Sequence, residues 1–453
     1  MELTDGSRVA VVGGGPAGAL TALFIRKFAR LLRMDLQVEI HEPKDFSQNG
    51  AKGCNHCGGI LSESLLQFMA LEGIALPPNV ILNTIDAYCL HTDSGHVLLR
   101  TPLEEMRIAA VFRGGGPKGN HPRDTTPTQS FDGVLLALAL KEGARLIPER
   151  VTRLGWNNGL PEVTSASGSR VYDLVVGAVG VNGTGLGLFA NLGIDYRPPV
   201  QSKTFIADYH LGAEAVWRHV GNTMHIFLLD IPEIRQGAII PKGPFVTICY
   251  VSDQVSAELT ERFFAHPEVR ACLPPDWQRP GGREACTCIP STNVGDPVNY
   301  FADRVVLVGD CGVARLFKNG IGSAYLTAKA CATTVVLQGI SRHHFARHYQ
   351  PVCDRISQDN QLGKAILTVL GHARRQVAFR HAILKTVARE QSMRAPHRIM
   401  SLTLWDSFSG SASYTHVLWR ALTSFGFHAR FLWSYLHGLL RLGQPVPSTP
   451  PGS

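Results

Sequence analysis

The run Gly13-Gly14-Gly15-Pro16-Ala17-Gly18 places glycines at the first, third and sixth positions of a G-x-G-x-x-G turn. Each glycine has its own duty. Gly13 permits a tight turn, Gly15 lets the backbone approach a pyrophosphate, and Gly18 lets the following helix pack closely, with phosphate oxygens facing the helix N-terminus. The turn lies between an apolar run at 9–12 and a helical pattern at 17–32, and a second strand pattern at 37–41 leads to Glu42, 24 residues after Gly18. A carboxylate there can accept both hydroxyl hydrogens of an adenosine ribose. Much later in the chain the apolar run 305–308 ends at Gly309-Asp310, and Gly320-Ile321-Gly322 opens a helix ten residues after the aspartate. An aspartate at a strand end can accept from a ribityl hydroxyl, while the N–H groups of the next helix can face the anionic edge of a reduced flavin ring. Two such sites in one chain suit FAD better than NAD.

Cys54-Asn55-His56-Cys57-Gly58-Gly59-Ile60 is the third motif able to carry chemistry. Its C-x-x-C spacing leaves three readings open. The loop can shape a flavin pocket, Cys57 or His56 can act beside a substrate, or the cysteines can form a redox pair or a four-sulfur metal site with Cys286 and Cys288. The remaining cysteines, Cys89, Cys249, Cys272, Cys311, Cys331 and Cys353, are expected to pack as small apolar groups. Half of the 18 histidines follow residue 340, on what reads as a basic solvated face, so no residue is assigned to a metal.

These residues need a scaffold. Residues 8–42 read as one βαβ unit and imply a parallel sheet, which the strand pattern at 174–176 can extend. Residues 43–62 and 114–130 carry too many breakers for regular structure, and 80–112 alternate as antiparallel strands do. Short β-type runs between 198 and 290 suit an antiparallel sheet. The expected class is α/β: a discontinuous Rossmann-type nucleotide-binding domain (1–197 and 291–340), an inserted antiparallel-sheet substrate domain (198–290) and a basic helical C-terminal region (341–453) with a frayed Pro-rich end.

With 45% hydrophobic and only 18% charged residues in 453, disorder throughout is excluded, and ten cysteines are far too few for a disulfide scaffold. The polar start leaves no room for a signal-peptide core, which makes the cytoplasm the expected location. Residues 341–453 hold 14 Lys and Arg against four Asp and Glu, a net charge of +10, so the remainder of the chain carries −2. A basic tail on a nearly neutral body points to a local anionic partner. From 417 to 442 the pattern is amphipathic: Arg420, Thr423, Ser424, Arg430, Ser434, His437 and Arg441 mark a polar stripe, with Trp419, Phe425, Phe431, Trp433, Tyr435 and Leu436 among the apolar residues elsewhere. This stretch suits either an anionic membrane surface, as on the inner face of a membrane, or packing on the protein's own core. No recognisable nucleic-acid module accompanies the charge.

Over residues 8 to about 340 the chain resembles the FAD-dependent oxidoreductases with a glutathione-reductase-like Rossmann fold, which include geranylgeranyl reductases and aromatic-ring hydroxylases. The Cys54–Gly59 loop is similar to the C-x-x-C-G-G loop of the reductase branch. The resemblance implies that this loop runs beside the flavin, that Gly309 and Asp310 contact its ribityl and phosphate region, and that Gly320, Ile321 and Gly322 contact the isoalloxazine. It also implies that Val151 contacts adenine through its backbone. The implied reaction is saturation of carbon–carbon double bonds in a prenyl or other polyene lipid, with a proton from water, His56 or Cys57. A flavin monooxygenase acting on a hydrophobic metabolite and a non-catalytic flavin-containing lipid-binding protein are the alternatives. The chain departs from the family where an Arg precedes Phe-Asp: Thr128 stands there, and Arg113 is the expected replacement. Ala178-Val179-Gly180 replaces the usual Ala-Asp-Gly, which leaves NAD(P)H, ferredoxin or a quinol open as electron donor.

Overall fold

The computed structural model describes residues 1–48, 53–103, 106–114, 129–277, 284–317 and 319–440. Chain contacts divide it into two compact units: Met1–Asn55, Gln129–Gln201 and Ser291–Asn360 form the first, and His56–Thr128, Ser202–Pro290 and Gln361–Ser453 the second.

The first unit is built on a parallel sheet. Its strands lie in the order Arg145–Ile147, Gln37–His41, Arg8–Val12, Leu174–Gly177 and Val305–Leu307, all parallel, with Phe301–Ala302 antiparallel at the outer edge. Numbered along the chain, the parallel strands run 3-2-1-4-5, the order in which a nucleotide binds beyond the C-terminal ends of the central strands. Val9, Ala10 and Val11 are fully buried because a central parallel strand is covered on both faces. The helix Pro16–Leu31 starts on a proline whose fixed φ suits its first turn, and it buries Ala19, Leu20, Leu23 and Phe24. It packs on the helices Phe131–Lys141 and Gly320–Leu337. A small antiparallel meander, Arg153–Asn157, Leu160–Ser165 and Gly168–Val171, completes the unit. Its first turn is Asn158-Gly159, both with positive φ, the pair a two-residue hairpin requires.

The second unit carries a larger sheet. Its strands follow the order Glu284–Cys288, Gln201–His210, Phe245–Ser252, Ile234–Lys242, Thr223–Phe227, Ala87–Thr92 and Gly95–Arg100. Neighbours are antiparallel except Thr223–Phe227 and Ala87–Thr92. This corrects the expected boundaries: residues 56–103 belong here rather than with the nucleotide-binding domain, because Ala87–Thr92 finds its partner in Thr223–Phe227. The C-terminal region is likewise not a separate body. Residues 341–360 belong to the first unit, where Tyr349 Oη donates to the carbonyl of Leu307 at 2.8 Å. The helices Val377–Glu390 and Ile399–Ser409 belong to the second, with Trp405 fully buried and its ring 4.9 Å from that of Tyr88. The buried Glu390 carboxylate accepts from the N–H groups of Met400 and Ser401 at 2.9 and 2.7 Å, satisfying the start of the second helix.

Side-chain alternation gives this sheet two apolar faces. Ile239, Ile248, Tyr250 and Phe227 face the helix Ala257–Ala265, whereas Ala238, Ile240 and Ile226 share a core with Trp405 and Leu384.

Candidate functional site

The glycine turn of the first unit packs closely against the backbone beneath it. Gly13 has φ +108°, and a Cβ there would lie 2.4 Å from the Ala178 carbonyl; a Cβ on Gly18 would lie 1.8 Å from the carbonyl of Gly13. Neither position tolerates a side chain, so the turn is held close to the strand and helix it joins. Glu42 holds it from the neighbouring strand: Oε2 accepts the Gly14 N–H and Oε1 the Lys44 N–H, each at 2.8 Å. Each oxygen keeps a lone pair for a further donor. Gly14 is required as well, since a Cβ would sit 2.7 Å from that of Glu42. Lys44 Nζ donates to the Cys54 carbonyl and to Asn55 Oδ1 at 2.8 and 2.9 Å, and Asn55 Nδ2 donates to the buried Asp132 at 2.5 Å. This chain of contacts pins Cys54 and Asn55 beside the turn, with Asn55 Nδ2 3.4 Å from where a Gly15 Cβ would be. Lys44, Asn55 and Asp132 are site residues that spacing alone did not reveal. The K-D-F-S and N-H-C runs that contain Lys44 and Asn55 carry no pairing information.

The second turn closes on the same helices. Gly309 has φ +64°, and a Cβ on it would press within 2.6 Å of Ala17 Cβ. Its N–H donates to Thr327 Oγ1 at 3.0 Å. Asp310 Oδ1 lies 3.7 Å from where a Gly320 Cβ would be, which places the carboxylate at the N-terminus of the helix Gly320–Leu337. Asn319, in the left-handed region at φ 50°, caps that helix by accepting from the Gly322 N–H at 2.9 Å. The loop between them is held by Asn360, whose side chain accepts from Leu316 N–H and donates to the Ala314 carbonyl, both at 2.8 Å. Cys311 is buried beneath the turn, where desolvation pushes its thiol up to about 12 and leaves it without nucleophilic character. Val151 lies in the core of this unit with Val12, Leu154 and Tyr172.

The chain leaves the first unit after Asn55, so the C-x-x-C motif is divided: Cys54 belongs to the first unit, Cys57 to the second. Within the second unit, His56 has φ +50° and Gly59 φ +69°. A Cβ on Gly59 would lie 2.4 Å from the Val111 carbonyl, and one on Gly58 3.5 Å from Ile240 Cδ1. Hence Gly59, more than Gly58, is the position that only glycine fits. Cys57 Sγ accepts the Gly59 N–H at 3.4 Å. The loop lies against the Ile240 face of the sheet, which also carries Lys242, Asp208, Thr247 and Cys249. Lys242 Nζ is 3.3 Å from where a Gly59 Cβ would be, and Thr247 Oγ1 donates to Asp208 at 2.5 Å. Burial, offset in part by Lys242, pushes the Cys249 thiol up to about 12. Cys286 Sγ points to Asp208 Oδ2 at 3.6 Å, and Cys54, Cys57, Cys286 and Cys288 form no metal-capable group among the described residues. Arg113 is buried in this unit, just after the strand Ile108–Val111. Thr128 and the Pro-rich end, 444–453, lie outside the described residues.

A cavity of about 1190 Å³ lined by Phe205, Tyr209, Phe264 and Trp277 opens on the opposite face of the same sheet. It is separate from the face that holds the glycine loop.

On the C-terminal helices the expected polar stripe is reversed in part. Ser434 is buried, accepting from Arg389 at 3.4 Å, while Trp419 and Trp433 are 67% and 57% exposed, with Leu422, Leu432 and Leu436 also exposed. Phe431 packs on Phe379. Among the described residues no helix is long and apolar enough to cross a membrane.

A parallel sheet in the order 3-2-1-4-5 with a glycine turn after its first strand is a Rossmann-type nucleotide-binding fold. No protein-family model matches the chain, and no curated protein matches it in sequence. Solved structures do. A geranylgeranyl bacteriochlorophyll reductase-like protein from Thermoplasma acidophilum superposes with a TM-score of 0.63 at 15% identity, over 96% of this chain and 100% of that one. The halogenase PltM, in complex with phloroglucinol and FAD, gives 0.58 at 14% identity over 96% and 91%. The p-nitrophenol 4-monooxygenase PnpA from Pseudomonas putida gives 0.56 at 14% identity over 90% and 98%. At these identities the likeness shows the shared fold.

Proposed function

We propose that the chain is an FAD-dependent oxidoreductase that saturates carbon–carbon double bonds in a prenyl or other hydrophobic polyene substrate. The observation that carries the first half is the pair of nucleotide-site elements in one unit: the turn at Gly13–Gly18 closed by Glu42, and Asp310 set beside the N-terminus of the helix Gly320–Leu337. The cradle fits a dinucleotide because the turn before the helix is glycine at 13, 14 and 15 and Glu42 fixes its backbone. When bound, the flavin supplies hydride transfer. Glu42 orients the adenosine ribose, the N–H groups at the start of Pro16–Leu31 offset the pyrophosphate charge, and Asp310 accepts from a ribityl hydroxyl. Cys57 and His56 stand as proton donors, and Lys242, buried beside the same loop, is a third group able to hold a proton there.

The substrate assignment is supported by the loop Cys54–Gly59, whose Gly58 lies beside Ile240 of the second sheet. Likeness in fold to a geranylgeranyl bacteriochlorophyll reductase-like protein supports it. The electron donor is NAD(P)H or ferredoxin. A second reading, oxygen-dependent hydroxylation or epoxidation, is favoured by the likeness to a monooxygenase and a halogenase. The protein reduced under anaerobic conditions and mixed with prenyl lipids distinguishes the two. Saturated product without oxygen supports the reductase, and product only after oxygen is admitted supports the monooxygenase. No product and no change in flavin reoxidation with any lipid points to a non-catalytic binding protein.

The partner surface that fits the C-terminal helices is an anionic bilayer on the cytoplasmic side. Exposed Trp419 and Trp433, within a region of net charge +10, support that placement. Nucleic acid is not part of this reading.

A further inference from the structure

On the face of the large sheet opposite the Gly58 loop, four buried side chains converge. Cys89 and His91 project from one strand on the same side, His225 stands opposite Cys89 on the neighbouring strand, and Cys272 follows the short helix Pro267–Arg270. His91 Nε2 and His225 Nδ1 are 2.9 Å apart; Cys272 Sγ is 3.3 Å from His225 Nδ1 and 3.7 Å from His91 Nε2. The ligand atoms of Cys89, His91 and His225 all lie within 4.8 Å of one another. We propose that Cys89, His91, His225 and Cys272 bind a zinc ion.

The hydrogen-bond accounting requires something between the two rings. His91 Nδ1 is 2.6 Å from Glu268 Oε2, and a carboxylate only accepts, so the ring donates there and Nε2 bears a lone pair. His225 Nε2 is 3.3 Å from the carbonyl of Val220, which also only accepts, so Nδ1 bears a lone pair too. Two lone pairs facing each other at 2.9 Å need either a shared proton or a cation. Two sulfur atoms within reach favour the cation, and ion binding would take the Cys272 thiol proton from the Glu268 carbonyl, to which it otherwise donates at 3.3 Å. In a tetrahedral zinc site with bonds of about 2.0–2.1 Å to nitrogen and about 2.3 Å to sulfur, ligand atoms stand roughly 3.3–3.8 Å apart; Cys272 Sγ already stands 3.3 and 3.7 Å from the two ring nitrogens, the rings at 2.9 Å would part by a few tenths of an ångström, and Cys89 Sγ lies within 4.8 Å of both. Two thiolates balance the ion's charge in an apolar setting where His91 stacks on Phe227.

The outer groups complete the design. Glu268 and the Val220 carbonyl fix the tautomer of each ring from behind, as second-shell partners of zinc-bound histidines do. His96 donates to the same Glu268 oxygen at 3.1 Å. A site built instead on His91, His96 and Glu268 is the competing location, but its 2.6 Å separation departs further from a ligand pair than the 2.9 Å between the rings, and it contains no sulfur. With four protein ligands and no open position the ion is structural. It ties Cys272, at the end of the helical segment, to the strands Ala87–Thr92 and Thr223–Phe227.

The test is metal analysis and X-ray absorption on the full-length protein, expressed with zinc in the medium and washed briefly with chelator. The expected result is about one zinc per chain with two sulfur and two nitrogen neighbours near 2.3 and 2.0 Å. Cys272→Ser and His225→Gln should lose the ion, His96→Ala should keep it, and Glu268→Gln should weaken it about 10–100-fold. Cobalt loading of the wild-type chain, read as thiolate-to-metal charge transfer and intense tetrahedral bands to the red of flavin, keeps the test open if the cysteine variant does not fold. Wild-type protein without zinc and without those bands overturns the proposal, leaving a shared proton between the rings. Zinc retained in Cys272→Ser but lost in His96→Ala overturns it in favour of the outer location. Both readouts are independent of flavin content and of turnover.

Discussion

Replacing Glu42 by Gln tests the adenosine end of the nucleotide site with almost no change of shape. The carboxylate is buried and accepts two backbone N–H groups, from Gly14 and Lys44, at 2.8 Å each. A carboxamide of the same size has one acceptor oxygen, so one of these donors then faces an NH₂ group and the ribose loses its charged acceptor. Loss of one hydrogen bond to a charged group costs about 1.5–3 kcal/mol, which corresponds to a dissociation constant about 10–100-fold weaker for FAD. FMN lacks the adenosine ribose, and its weaker binding should change less than about threefold. Titration of apoprotein with each flavin, followed by quenching of flavin fluorescence, gives both constants. Equal losses for FAD and FMN would mean that Glu42 only holds the turn, and no loss for either would remove it from the site.

Gly18→Ala should abolish FAD retention, since its Cβ would meet the Gly13 carbonyl at 1.8 Å, whereas Gly187→Ala, with open space around it, should behave as wild type in the same gel-filtration assay. In the second unit Gly59→Ala should impair folding or turnover, and Gly58→Ala should be tolerated, because only the former pairs a positive φ with a backbone clash. Trp405→Ala should cost about 3–5 kcal/mol by denaturant titration, while Trp419→Ala with Trp433→Ala should leave stability within about 0.5 kcal/mol for each and reduce sedimentation with anionic liposomes in a salt-dependent way. Retained liposome binding in the double variant would exclude those rings as the contact. Burial pushes the Glu39 carboxyl up, but the Tyr172 hydroxyl at 2.6 Å and the charge of Arg170 outweigh it and hold it below its usual 4.5. A depressed carboxyl stabilises the fold above its unfolded pKa and loses that contribution as pH falls through the folded value, so Tyr172→Phe should move acid unfolding to higher pH. An unchanged midpoint would show that the charges of Arg170 and Arg8, without the Tyr172 hydroxyl, set it.

The parts of this architecture that are local in sequence were legible there. The turn at Gly13–Gly18, the buried strands on either side of the first helix and the strand Leu174–Gly177 follow from glycine spacing and apolar runs. The strands Ala87–Thr92 and Gly95–Arg100 were legible as strands but not as members of the second sheet, because a parallel pairing with Thr223–Phe227 across so long a connection has no local signature. For the same reason Lys44, Asn55, Asp132 and Lys242 escaped notice, since their roles depend on contacts made only in the fold. On the C-terminal helices, a mixed pattern of aromatic and basic residues did not distinguish the buried Trp405 from the exposed Trp433, nor predict that Ser434 would turn inward. His91 and His225 stand 134 residues apart, and only the pairing of their strands makes them neighbours.

The central claim is that this chain holds one FAD across the sites built by Glu42 and Asp310. Its most direct measurement is the flavin released by heat from purified full-length protein, identified by chromatography and mass spectrometry and counted per chain. The account predicts a yellow protein with about one non-covalent FAD per chain, restored after stripping by FAD but not by NAD. A colourless protein that takes up no FAD on reconstitution, or one that binds NAD in its place, would contradict it.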